Sequence, residues 1–143
     1  MKIALASDHA GYGIKEEIKK FLISEGLEVV DLGTDSEESC DYPVYGKKCA
    51  LAVTEGKADR GVAVCGTGIG ISIMANRYVG IRCALCTNPD MAEMARKHND
   101  ANMLALGGRL LEKKDAIDIT KAWLYTDFDG ERHCRRVGML DEV

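Results

Sequence analysis

Cys65 ends an apolar run and is followed by Gly66-Thr67-Gly68-Ile69-Gly70. A strand that feeds alternating glycines into a helix leaves backbone N–H groups free to point at an anion. A helix N-terminus also favours the thiolate of a cysteine placed at the mouth of the turn. One short segment therefore holds the materials for a base and for a seat of negative charge. The same turn fits a plain strand-to-helix link, with Thr67 as a helix cap. It does not fit a dinucleotide fingerprint, because Ile71 stands where G-x-G-x-x-G has its last glycine and the turn follows the third apolar run, not the first. A P-loop is excluded, since no Gly-Lys-Ser/Thr follows.

Other residues with chemical capacity lie apart from this turn. Asp8 and His9 follow the first apolar run, where they also suit helix capping. Arg109 follows the fifth. His98 and Asn99 come at the end of a helical stretch; His98 shares its face with Met91, Met94 and Ala95, which also fits a half-buried core histidine. Arg132 and Arg136 are four apart, on one helical face, and suit a single phosphate or carboxylate. The bland alternative is a solvated basic face paired with Glu131 or the acidic C-terminus. Cys83-x-x-Cys86 has the spacing of a metal or redox pair, but positions i and i+3 of a strand face opposite sides, and no second Cys/His pair has zinc-like spacing.

These residues need a frame. Apolar runs at Lys2–Ser7, Leu27–Leu32, Gly61–Cys65, Ile81–Leu85 and Asn102–Leu106 read as five strands. Helical stripes separate them: Ile14/Ile18/Phe21/Leu22 closed by Gly26, Tyr45/Cys49/Ala52/Val53 closed by Gly56, a short helix from the glycine turn through about Asn76, and Met91/Met94/Ala95/His98. Ala116/Ile119/Thr120/Trp123 mark a long fifth helix, and the tail from Glu131 supports one more. Pro43 and Pro89 sit at helix starts. Strands alternating with helices predict an α/β, three-layer αβα Rossmann-like sandwich around a five-stranded parallel sheet. Ligands in such folds bind at strand C-termini, at a switch in strand order. Asp8, His9, Cys65 and Arg109 obey that rule if the first and third strands are neighbours.

Length and composition agree with a single domain over residues 1–143. Hydrophobic residues make up 46% and charged residues 29%, which is a globular balance. A net charge of −4 argues against nucleic acid or a membrane surface as partner, since both call for an extended basic face. The six cysteines lie among ordinary apolar runs, which predicts small buried hydrophobes in a reducing cytoplasm and not a disulfide scaffold. No secretory leader or membrane span is expected.

Taken together, Ser7-Asp8-His9-Ala10-Gly11, Asp41-Tyr42-Pro43, Cys65-Gly66-Thr67-Gly68-Ile69-Gly70, Ala75-Asn76-Arg77, His98-Asn99-Asp100-Ala101-Asn102 and Arg132-His133-x-x-Arg136 resemble the ribose-5-phosphate isomerase B family, from Met1 to about Val137. The wider family includes galactose-6-phosphate and allose-6-phosphate isomerases. The resemblance implies an aldose–ketose isomerase working through an enediolate, without cofactor or metal. It implies Cys65 as the base, Thr67 as an assisting hydroxyl and the amides of Gly66, Thr67, Gly68, Ile69 and Gly70 as the enediolate hole. It assigns ring opening to His98, sugar binding to Asp8, His9 and Asn99, and the phosphate end to Arg109, Arg132 and Arg136. The last two come from a partner subunit, so a homodimer or tetramer with shared sites is implied, reached by the helix from about 131. Some relatives use a glutamate a few residues on as base; here Ile71-Ser72-Ile73-Met74-Ala75 holds no carboxylate. Ribose 5-phosphate is the expected substrate. The alternatives are a six-carbon phosphosugar, or a non-catalytic phosphosugar-binding domain on the same fold.

Overall fold

The computed structural model describes all 143 residues. Five strands run β1 (Lys2–Ser7), β2 (Glu28–Asp31), β3 (Arg60–Cys65), β4 (Cys83–Leu85) and β5 (Met103–Gly107). Six helices follow them in turn: α1 (Tyr12–Ser24), α2 (Tyr42–Thr54), α3 (Ile69–Ala75), α4 (Pro89–Asn99), α5 (Lys113–Tyr125) and α6 (Arg132–Met139). The strands form one parallel sheet in the order β2-β1-β3-β5-β4. This is the α/β sandwich the alternation predicts. The fourth strand is shorter than its apolar run, because Ile81 donates to the Tyr78 carbonyl in a turn and Arg82 to the Asn102 side chain.

Strand periodicity sorts side chains onto two faces. Ile3, Leu5, Val62, Val64, Leu104 and Leu106 pack on one face with α1, α4 and α5. Ala4, Ala6, Ala63, Cys65, Met103 and Ala105 pack on the other with α2 and α3. The first face is filled by large aliphatics, each contributing about 1.5–3 kcal/mol on burial. The second is lined by small residues apart from Met103, which lets α2 and α3 approach closely. Cys65 belongs to this second face, and so emerges beside α3. The pair Cys83 and Cys86 divides as the strand period predicts: Cys83 packs against the second core and Cys86 lies in the first.

Chain order runs from β1 out to β2 and then back across to β3, on the other side of β1. That reversal is the switch point, and it puts the C-termini of β1 and β3 side by side, with Ser7 in register with Val64. The turns after β1, β3 and β5 pack backbone to backbone there. A Cβ on Gly11 would stand 2.4 Å from the Val64 carbonyl oxygen, and one on Gly107 would stand 2.8 Å from the Thr67 carbonyl oxygen. No helix is long and apolar enough to cross a membrane.

Candidate active site

Cys65 ends β3 and is buried, 3% exposed. Its sulfur accepts the Gly68 N–H at 3.2 Å. Gly68 reaches it with φ +80, a left-handed conformation that favours glycine, and a Cβ there would stand 2.5 Å from Leu85 Cδ1. The next amide, of Ile69, donates to Thr67 Oγ1 at 3.2 Å. This bond fixes the Thr67 side chain, and the helix cap itself falls on Gly68. The N–H groups of Gly66, Thr67 and Gly70 have no partner within the chain. The turn is pinned from β5: Gly108 donates to the Cys65 carbonyl at 2.7 Å and Arg109 to the Gly66 carbonyl at 3.0 Å. Five turn amides are thus held rigidly, and three of them are uncommitted.

A cleft of about 210 Å³ opens over this turn, lined by Asp8, Tyr42, Cys65, Gly66, Thr67, Gly70 and Arg109. Asp8 is buried, and Oδ1 accepts the Gly11 N–H at 3.0 Å. It therefore caps the β1–α1 turn and also faces the cleft. Arg109 lies over Gly66, its NH1 only 3.1 Å from where a Cβ would be, and its guanidinium has no ion-pair partner. Tyr42 closes the opposite wall; a Cβ on Gly70 would stand 2.6 Å from its Cε1. His9 stands beside Asp8, outside the lining, where Nδ1 accepts the Cys40 N–H at 3.1 Å. That bond leaves Nε2 of the neutral ring as the proton donor. Tyr42 and Cys40 are the contributors that residue chemistry did not single out. The signals for Tyr42 are its place at the start of α2 and its membership of the Asp41-Tyr42-Pro43 motif.

The other candidates gather elsewhere. His98, Asn99 and Arg136 line a second cavity of about 190 Å³ with His133, Val137 and Leu140. The His98 and His133 rings stack with centroids 4.6 Å apart and planes 19° apart. Arg132 and Arg136 are exposed and make no ion pair with Glu131 or the C-terminal acids. Burial first, then Arg132, His98 and Arg136, push the His133 imidazole below its usual range, while Asp129 acts the other way. His98 is half-buried and belongs to neither hydrophobic core. Met91 and Met94 are about 40% exposed (42% and 41%), because α4 buries Ala92, Ala95 and Arg96 instead.

The two cavities lie at opposite edges of the sheet. α4 returns from the C-terminal end of β4, so His98 and Asn99 reach the edge where strands begin. There Arg82, just ahead of β4, donates from Nε to the Asn99 carbonyl at 3.1 Å. Six residues of β3 at about 3.3 Å each put that edge roughly 16 Å from Cys65. One chain does not bring Cys65 and His98 together.

Burial pushes the Cys49 thiol up to about 12 and the Cys86 thiol up to about 11, and raises Cys83 as well. No disulfide joins any of the six cysteines.

The chain matches the family model described as Ribose/Galactose Isomerase over residues 3–140. It is 47% identical to ribose-5-phosphate isomerase B of Escherichia coli, over 99% of this chain and 95% of that protein. Its structure superposes on that of Clostridium thermocellum ribose-5-phosphate isomerase B with a TM-score of 0.98, at 54% identity, covering 99% of this chain and 96% of the other. The Thermotoga maritima ribose 5-phosphate isomerase superposes with a TM-score of 0.97, also at 54% identity, covering 99% and 98%.

Proposed function

The chain belongs to the ribose/galactose isomerase family, and on that premise we propose that it interconverts ribose 5-phosphate and ribulose 5-phosphate through an enediolate, with Cys65 as base and His98 opening the sugar ring. The observation that carries this reading is the turn at Cys65: a thiol that accepts a helix-start N–H at 3.2 Å, facing a cleft beside three uncommitted backbone amides.

The chemistry follows from that geometry. His98 moves a proton between the anomeric hydroxyl and the ring oxygen, which opens the furanose. The Cys65 thiolate takes the C2 proton of the open aldose, and the electron pair moves onto O1. The resulting enediolate is an oxyanion, and the N–H groups of Gly66, Thr67 and Gly70 are donors held in place before it forms. Cys65 returns the proton at C1, while the O2 proton passes to O1 with help from the Thr67 hydroxyl. The product is the ketose, with no net gain or loss of protons. Asp8, His9 and Asn99 bind the sugar hydroxyls. Arg109, Arg132 and Arg136 hold the phosphate end, so that remote binding energy serves to position C1 and C2.

His98 and Arg136 share one cavity and Cys65 lies at the other edge of the sheet. The reading therefore requires a second copy of the chain to present its His98 end to this Cys65 cleft, as in a homodimer or tetramer. His98 and Asn99 then travel with the arginine pair. The unpaired thiols suit a reducing compartment, and we assign the enzyme to the cytoplasm.

A coupled isomerase assay on ribose 5-phosphate, with Cys65→Ala beside the parent, tests this directly. Turnover by the parent and its loss in the variant are expected. Faster turnover of galactose 6-phosphate or allose 6-phosphate would overturn the substrate. Thermal-shift binding with no turnover of any of them would make the chain a binding domain.

A further inference from the structure

His98, His133 and Asp129 come from three separate segments: the end of α4, the start of α6 and the link between α5 and α6. One ligand atom from each lies within 4.8 Å of the other two. The backbone holds them there. Asp129 donates its N–H to the Lys97 carbonyl at 3.1 Å, one residue before His98, and His133 donates its N–H to the Gly130 carbonyl at 3.0 Å, one residue after Asp129. None of the three side chains is engaged in a hydrogen bond or an ion pair with another residue. Two imidazoles and a carboxylate therefore lie side by side with their lone pairs uncommitted, and one of the rings, His133, is buried.

We propose that His98, His133 and Asp129 form a site for a divalent cation of the zinc class, and that filling it takes His98 away from the sugar. Two histidines and one carboxylate are a three-ligand set that zinc accepts, with a fourth position left for water or an anion. Donors on a tetrahedral zinc stand about 3.3 Å apart, so closing the trio takes side-chain rotation of up to about 1.5 Å that also opens the stack of the two rings. Imidazole nitrogen selects zinc, nickel or copper; magnesium and calcium prefer an all-oxygen shell. The neighbouring Arg132 and Arg136 oppose a bare dication and favour an anionic fourth ligand. The binding stands on geometry alone. The inhibition rests on the role read for His98.

The test uses the parent chain and Asp129→Asn, each in a Cys40→Ser/Cys134→Ser background to remove accessible thiols, titrated with zinc chloride by calorimetry and by residual isomerase turnover. The parent should bind one zinc per chain and lose turnover, which a chelator restores, while magnesium does neither. Asp129 is exposed and outside the catalytic set, so Asp129→Asn should keep basal turnover, with zinc affinity and inhibition both weaker by at least ~10-fold. Equal zinc binding in both proteins overturns the site. Zinc binding that depends on Asp129 without loss of turnover overturns the inhibition, and with it the role of His98, while supporting the site.

Discussion

Gly68 donates its backbone N–H to the Cys65 sulfur at 3.2 Å, from a backbone with φ +80. The proposed base and the turn that would hold the enediolate are thus one rigid unit. The left-handed residue that makes the contact is wedged against Leu85 and Leu106.

Removing the sulfur should separate chemistry from folding. Cys65→Ala is expected to lower kcat by about 100–10,000-fold, the usual range for a positioned base. Its melting temperature should stay near the parent's, because the change deletes one small buried group. Paired activity assays and thermal melts check this, and near-parent turnover would remove Cys65 from the mechanism.

Gly68→Ala attacks the same unit through the backbone. A Cβ would meet Leu85 Cδ1 at 2.5 Å and the Leu106 carbonyl carbon at 2.9 Å, on top of the strained φ. A cost of about 1–3 kcal/mol is expected from the backbone conformation alone. Urea unfolding should show it together with a fall in kcat. Parent-like stability would mean that the turn relaxes freely.

Subunit sharing makes a sharp prediction. Cys65→Ala and His98→Ala should each be inactive alone. Refolded together in equal amounts, they should recover about a quarter of parent activity, the statistical share of intact sites in a two-fold dimer. No recovery in mixed dimers, verified by mass, would place both residues in a site built by one chain.

Arg136→Ala should raise KM far more than it lowers kcat. A charge-assisted bond to phosphate contributes about 1.5–3 kcal/mol, which corresponds to roughly 10–100-fold in binding. Inhibition by inorganic phosphate should weaken in parallel. If phosphate inhibits the variant as well as the parent, Arg136 does not hold that group.

His133 links stability to pH. Its imidazole is held below the ordinary value by burial first and by Arg132, His98 and Arg136 next. The unfolded chain therefore takes up this proton before the native one does. Its share of stability is complete above the ordinary histidine value of about 6.5 and is lost as pH falls below it. Urea midpoints measured across that value should drop on the acid side in the parent and drop less in His133→Gln. Equal slopes would assign the acid sensitivity to other groups.

Much of the frame was legible in residue order. Alternating strand and helix periods reflect local hydrogen bonding, so the five strands, the helix starts at Pro43 and Pro89, and the parallel sheet follow from them. The expected neighbours β1 and β3 are paired in the structure. Cys65 and its glycine turn were legible for the same reason, since a strand, a turn and a helix start are contiguous in sequence.

What lies across the molecule was not legible. Periodicity puts Met91, Met94, Ala95 and His98 on one face of α4, but only packing decides that Met91 and Met94 stay exposed, that His98 is half-buried and that Ala92, Ala95 and Arg96 go inward. Tyr42 reaches the Cys65 cleft because the small-residue face of the sheet lets α2 and α3 come close, a property of three elements together. The stacking of His98 on His133 and the approach of Asp129 depend on how the chain after α5 returns to the end of α4. Such contacts join residues far apart in sequence, and no local pattern encodes them. The sequence by itself therefore determined the fold class and the chemistry available at the β3 turn. The tertiary structure decided that His98, Arg132 and Arg136 stand at the opposite edge of the sheet, because α4, linking two parallel strands, must run back against them and α6 packs beside α4.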